Sequence, residues 1–269
     1  MIDAHAHFWD PARLSYDWLK YVPDIAHAHL PEHFIHAGSV VFVQSDCAPD
    51  QALQEVDWAG QFEIAGIVAY APLELSVAVT PHLAQLVQRP LVKGIRRNTQ
   101  NEPDGFMLDG YAAGMIATAR TGLTIDMCIR AQQIPELLRA LDVLFNAMPA
   151  ATVILDHLGK PDIAGGEYDG WASDLSRIAE FPGLFCKLSG LPTQADWKSW
   201  RPEQLMPYLA HAIEVFSPER CLFGGDWPVV DLAGGYEPWR QTVETAVTGL
   251  TEAQQERIWS GTARAVYKL

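Results

Sequence analysis

Thr152-Val153-Ile154-Leu155-Asp156-His157 is the stretch on which the fold turns. Four apolar or β-branched residues run together and end abruptly in a carboxylate and an imidazole. A strand with one wet face alternates apolar and polar residues. A strand that is apolar nearly throughout is buried on both faces, as in a parallel sheet covered by helices. Val40-Val41-Phe42-Val43 reads the same way. Working outward, eight such segments are found: Ile2–His7, Ser39–Ser45, Gly66–Ala71, Leu91–Arg97, Leu123–Arg130, Thr152–His157, Leu184–Ser189 and Arg220–Gly224. Between them lie amphipathic stretches such as Pro135–Met148, Trp171–Phe181, Pro202–Phe216 and Glu237–Thr248. Three of these carry Pro or an acidic residue near the start, which suits a helix N-terminus. This alternation predicts an α/β protein with a closed (β/α)8 TIM-type barrel rather than an open sheet. No Pro/Ser/Gly linker or long repeat divides the chain, so residues 1–269 are read as one domain.

Of the 269 residues 49% are hydrophobic, enough for a large core, and a net charge of −14 narrows the partners. Nucleic acid and anionic membrane surfaces require clustered positive charge, so neither is expected. No apolar run approaches the roughly 18–20 residues of a membrane span. The start, Met1-Ile2-Asp3-Ala4-His5, shows no signal peptide. Cys47, Cys128, Cys186 and Cys221 form no C-x-x-C pair and read as reduced thiols, which predicts a cytoplasmic protein. Association into a homo-oligomer stays open.

In such a barrel the active site is built at the C-terminal ends of the strands. Strand one ends in Asp3-Ala4-His5-Ala6-His7, and alternation sends His5 and His7 the same way. Strand six ends in His157, and strand eight runs into Gly224-Gly225-Asp226-Trp227-Pro228. Neutral imidazoles and a carboxylate suit a zinc-type ion, and equally the activation of water. Each piece has a plainer competitor: satisfied histidines near a terminus, or an acidic residue in a Gly-Gly-Asp turn. A second H-x-H, His27-Ala28-His29, with His33 and His36, lies between strands one and two and reads as surface structure. The loops Gln100–Asp109 and Asp162–Gly170 are expected to flank the mouth.

Further candidates come from the other strand ends. Arg96 is the arginine expected to face inward from Gly94-Ile95-Arg96-Arg97-Asn98, with Arg97 turned outward. Arg130 can grip substrate or form an external salt bridge. Gln44 can donate to substrate, and Trp227 can wall the pocket. Lys187, charged within a strand, is either a functional amine or part of a buried ion pair. Cys128 is better read as a small hydrophobe than as a metal ligand. Phe8, Trp9, Trp18, Trp227 and Trp239 can stack on a sugar, although core packing is the commoner fate. There is no G-x-S-x-G, Walker A, G-x-G-x-x-G or H-E-x-x-H motif.

Several of these segments carry a likeness. Ile2-Asp3-Ala4-His5-Ala6-His7-Phe8-Trp9-Asp10-Pro11, Tyr16-Asp17-Trp18-Leu19, Lys93-Gly94-Ile95-Arg96, Leu155-Asp156-His157-Leu158-Gly159-Lys160-Pro161, Lys187-Leu188-Ser189-Gly190 and Phe223-Gly224-Gly225-Asp226-Trp227-Pro228 resemble the lactonase branch of the amidohydrolase superfamily. That branch includes L-fuconolactonase and L-rhamnonolactonase, and 2-pyrone-4,6-dicarboxylate lactonase is a relative. The resemblance implies a barrel that hydrolyses a lactone. The family's paired histidines fall on His5 and His7, its strand-six histidine on His157 and its strand-eight aspartate on Asp226. Two departures stand out. Asp126-Met127-Cys128-Ile129-Arg130 has no histidine where other amidohydrolases place a metal ligand, so a full binuclear site is not expected. Thr262-Ala263 stands where Asn-Ala is expected. Metal dependence varies within the branch. One divalent ion, zinc first, on His5, His7 and Asp226 and metal-independent catalysis are therefore both open.

The function expected is hydrolysis of a sugar-acid lactone. Asp226 would take a proton from water, with His5, His7, His157 and Arg96 about the reacting carbonyl, and Asp226 or His157 would return the proton to the leaving alkoxide. The rivals are a carboxylated lactone, suggested by Arg96, Arg97 and Arg130, an amide or decarboxylation substrate, and a non-catalytic binding barrel.

Overall fold

The computed structural model describes residues 1–34, 38–108 and 110–269. Eight strands lie parallel and in chain order: β1 (Ile2–Ala6), β2 (Ser39–Val43), β3 (Gly66–Tyr70), β4 (Val92–Arg96), β5 (Thr124–Met127), β6 (Val153–Leu155), β7 (Leu184–Leu188) and β8 (Cys221–Phe223). The barrel seam closes just beyond the regular ladders. There Asp226 N–H donates to His5 O and His7 N–H to Trp227 O, each at 2.7 Å. Two of the expected site segments therefore also stitch the barrel shut.

A helix follows each of the strands β2 to β8: α1 (Ala52–Ala59), α2 (Thr80–Leu86), α3 (Tyr111–Arg120), α4 (Ile134–Ala147), α5 (Asp169–Ala179), α6 (Pro202–Phe216) and α7 (Tyr236–Val247). After β1 the helix is replaced by 3-10 turns at Asp17–Tyr21, Pro23–Ile25 and Pro31–His33. None of the described helices is long and apolar enough to cross a membrane.

Alternation along the strands divides the core. Outward residues such as Phe42, Ile67, Ile95 and Val153 pack under the helices. Val41, Val43, Val68, Ile154 and Leu222 form a second layer, with Val266 and Tyr267 of the closing helix Thr262–Tyr267 packed against them. Each such buried side chain contributes about 1.5–3 kcal/mol. Alongside them the interior turns polar, with Asp126, Asp156 and Lys187 fully buried. Gly94 makes room for this layer, since a Cβ there would lie 2.2 Å from Thr124 Oγ1.

The strands are shorter than the apolar runs. The segment expected at Thr152–His157 stops at Leu155, because His157 and Leu158 both have φ of 54° in the turn Asp156–Gly159. A left-handed residue cannot continue a ladder. Thr262 donates to Glu219 O (3.1 Å), just before β8 and thus at the barrel end opposite the strand C-termini. The Asn-to-Thr departure therefore does not touch the mouth.

Candidate active site

Above the strand ends His5, His7, His157 and Asp226 converge. The Nε2 atoms of His5 and His7 are 3.1 Å apart. Asp226 Oδ1 lies 3.7 Å from His5 Nε2, 3.5 Å from His7 Nε2 and 4.0 Å from His157 Nε2. His7 Nδ1 donates to Val43 O (2.8 Å), with its Nε2 toward the cluster. His157 Nδ1 pairs with Ser189 Oγ at 2.8 Å. The carboxylate of Asp3 accepts from the N–H groups of His5 and Gly225, both at 2.9 Å, and from Tyr236 OH at 3.0 Å. It thereby ties β1 to the segment carrying Asp226.

Beneath His5 runs a buried charge network. Lys187 Nζ reaches Asp126 Oδ2 at 2.6 Å, Asp156 Oδ1 at 3.0 Å and His5 Nδ1 at 3.2 Å. Asp156 Oδ1 is 3.4 Å from the same His5 nitrogen. An ammonium only donates, so Lys187 favours a proton on His5 Nε2, whereas Asp156 favours one on Nδ1. Burial pushes the His157 pKa down to about 3 and holds that of His5 well below the usual range. Burial alone would raise the Asp226 carboxyl, but the rings of His157, His7 and His5 around it hold it well below the carboxylate range. At neutral pH His5 and His157 are thus neutral imidazoles beside an ionised Asp226 carboxylate.

That is the donor set a divalent ion needs. Four-coordinate zinc, with ligands at about 2.0–2.2 Å, holds them roughly 3.3–3.6 Å apart. His5 Nε2, His7 Nε2 and Asp226 Oδ1, separated by 3.1, 3.5 and 3.7 Å, match that spacing. His5, His157 and Asp226 likewise bring ligand atoms within 4.8 Å of one another. The residues fit a divalent metal.

The cluster opens into a cavity of about 260 Å³, just below the ~300–1,000 Å³ of ligand sites. His7, His157, Asp226 and Arg96 line it together with Trp18, Tyr21, Val22 and Val229. Arg96 donates through Nη2 to Gln44 O (2.6 Å), with Nη1 3.5 Å from His5 Nε2. Arg97 turns outward to Glu74 and Glu102.

Four residues expected to touch substrate, Gln44, Arg130, Trp227 and Lys187, do not line this cavity. Gln44 is 1% exposed, and its amide is taken up by Asp46. Arg130 donates to Gln100 O and Asn101 Oδ1, lining an adjoining cavity instead. Trp227 packs behind Asp226 among Phe8, Phe34 and His29. Lys187 is fully buried in its ion pairs. Of the five aromatics considered for stacking, Trp18 lines the cavity, while Phe8, Trp9, Trp227 and Trp239 are core. His27 and His29 pack beside Trp9, whose indole donates to His27 O (2.9 Å). His36 and Asp109 lie outside the described residues. Asp156, Asp46 and Asn98 were missed as site residues, although each follows the end of a strand, where the rim signal applied to them as well.

The amidohydrolase family model matches residues 2–269, and the chain belongs to that family. It is 29% identical to an L-fucono-1,5-lactonase of Burkholderia multivorans, over 100% of this chain and 96% of that one. An L-fucono-1,5-lactonase of Burkholderia ambifaria is also 29% identical, over 100% and 95%. Among solved structures, an amidohydrolase from Burkholderia multivorans with bound zinc superposes with a TM-score of 0.86 at 29% identity, over 100% of this chain and 99% of that one.

Proposed function

We propose that the chain hydrolyses an uncharged sugar-acid lactone to the open acid. The carrying observation is the meeting of His5, His7, His157 and Asp226 at the head of a cavity whose ionised side chains cancel. Asp46 and Asp226 are offset there by Arg96 and Lys160. Counted over the side chains alone, that balance favours a neutral ring over a carboxylated one. Of Arg96, Arg97 and Arg130, which suggest a carboxylated lactone, Arg97 and Arg130 are engaged elsewhere, while Arg96 lines the cavity with Nη2 on Gln44 O.

Asp226 would accept a proton from the attacking water as oxygen bonds to the lactone carbon. The negative charge then grows on the carbonyl oxygen, beside Arg96 and the imidazole edges. When the ring C–O bond breaks, Asp226 or His157 returns the proton to the departing alkoxide. Proton transfer of this kind typically contributes about 10²–10⁴-fold in rate. A carboxylate held at so low a pKa is a weak base, so positive charge near the water has to share the work. A divalent ion, zinc for preference, would be held by His5, His7 and Asp226 and supplies Lewis acidity when bound. The four free cysteines support a reducing, cytoplasmic setting.

The test is a panel of aldonolactones followed with a pH indicator, with and without a chelator, on the wild type and Asp226→Asn. Turnover by the wild type is expected, with a loss of at least about 10²-fold in the variant. Near-normal turnover by Asp226→Asn would overturn the base assignment. Loss on chelation with recovery on added zinc would support the metal, and unchanged rates would remove it.

A further inference from the structure

The turn after β2 holds a carboxylate that the reaction above does not use. Asp46 lines the cavity, and its backbone has φ of 53°. Two bonds fix the side chain and a third its backbone. Its own N–H donates to Gln44 Oε1 (2.6 Å), and Gln44 Nε2 returns a bond to Asp46 Oδ1 (3.0 Å). Asn98 Nδ2, from the segment after β4, donates to Asp46 Oδ2 at 2.5 Å. Gln44 is itself locked, its N–H on Val68 O and its carbonyl under Arg96. Among the described residues no Lys, Arg or His forms an ion pair with Asp46.

A carboxylate offers about four acceptor positions. The protein fills one on each oxygen and leaves one on each. Groups that satisfy such a pair must donate twice over a short span. Two neighbouring hydroxyls on a ring do this, while a second carboxylate is repelled. Trp18 also lines the cavity, and its Nε1 donates to Ser45 O (2.8 Å), which anchors the indole to the same turn. A ring that donates at one edge and rests a C–H face on an indole is a polyhydroxylated ring.

We propose that Asp46, held by Gln44 and Asn98, is a specificity-determining residue that binds two adjacent hydroxyls of the substrate ring. The assignment deepens the lactonase reading and rests on it. Preorganisation is its physical basis: a carboxylate already held by two bonds, on a backbone fixed by a third, loses little freedom on binding. A site built around hydroxyl donors also discriminates strongly against analogues that lack them.

The experiment compares wild type, Asp46→Asn and Asp46→Gly on an aldonolactone and on its mono-deoxy analogues, with kcat and KM measured separately. Asn and Gly both tolerate a left-handed backbone, so the turn is kept, and thermal melts verify folding. With the full lactone, KM is expected to rise at least about tenfold with kcat within about threefold. On the analogue lacking one hydroxyl of the pair the same substitutions are expected to raise KM clearly less than on the full lactone, since one of the two partners is already gone. An equal KM rise on every lactone, or none on any, overturns the assignment while the lactonase reading stands. If the wild type opens no lactone, that reading fails and takes this one with it.

Discussion

His157 and Asp226 have φ of 54° and 58°, a region in which side-chain-bearing residues are strained. In both cases the chain leaves a strand and turns back at once, so the side chain points over the mouth instead of along the wall. Gly190 makes one of these turns possible. It has φ of 65°, and a Cβ there would fall 2.4 Å from His157 Nδ1. Gly190→Ala is therefore expected to destabilise the protein by about 1–3 kcal/mol. It should also displace the imidazole, so kcat measured well below the melting temperature should fall further than the stability loss explains. Unchanged kcat would mean that His157 is not held by that contact.

At the scale of elements, β5, β6 and β7 share one ionic layer. Lys187 keeps its proton despite burial because Asp126 and Asp156 flank it, and Asp156 is held well below the carboxylate range by Lys187 and His5 against the opposing effect of burial. Tyr267 OH donates to Asp126 Oδ2 (2.6 Å), so the closing helix is tied into the same layer. Removing one member of a buried pair strands the others. Lys187→Met is expected to cost about 3–5 kcal/mol in urea unfolding, with partial recovery when Asp126→Asn is added. If the double variant is no more stable than the single one, the layer is not held by charge. The strand patterns announced that Lys187 needed a partner. They could not name Asp126 and Asp156, since pairing across three strands depends on barrel register.

For the whole molecule, one buried acid sets a pH dependence. Glu55 on α1 is fully buried, its Oε1 accepting the N–H of Ser45 at 3.1 Å. Burial pushes its pKa from the ordinary 4.5 up to about 8. Between those values the folded protein holds a proton that the unfolded chain has released, so this group's contribution to stability falls as pH rises from about 4.5 through 8. Glu55→Gln keeps an acceptor for Ser45 and is expected to flatten that decline. Thermal melts across the range check it, and a parallel decline in the variant would assign the effect to other groups.

What the residue order determined by itself was everything governed by short-range periodicity: eight apolar runs, their alternation with helices, the shared direction of His5 and His7, and Arg96 inward with Arg97 outward. These follow from a side-chain repeat of two along a strand, which needs no knowledge of neighbours. Tertiary structure alone decided which polar groups are free. Gln44, Arg130, Trp227 and Lys187 all follow or approach strand ends, yet closure of the barrel gives each a protein partner, whereas Asp46 keeps acceptor positions facing the cavity. A polar side chain is available to a substrate only when no nearer group has already satisfied it, and distance in space between far-separated segments settles that.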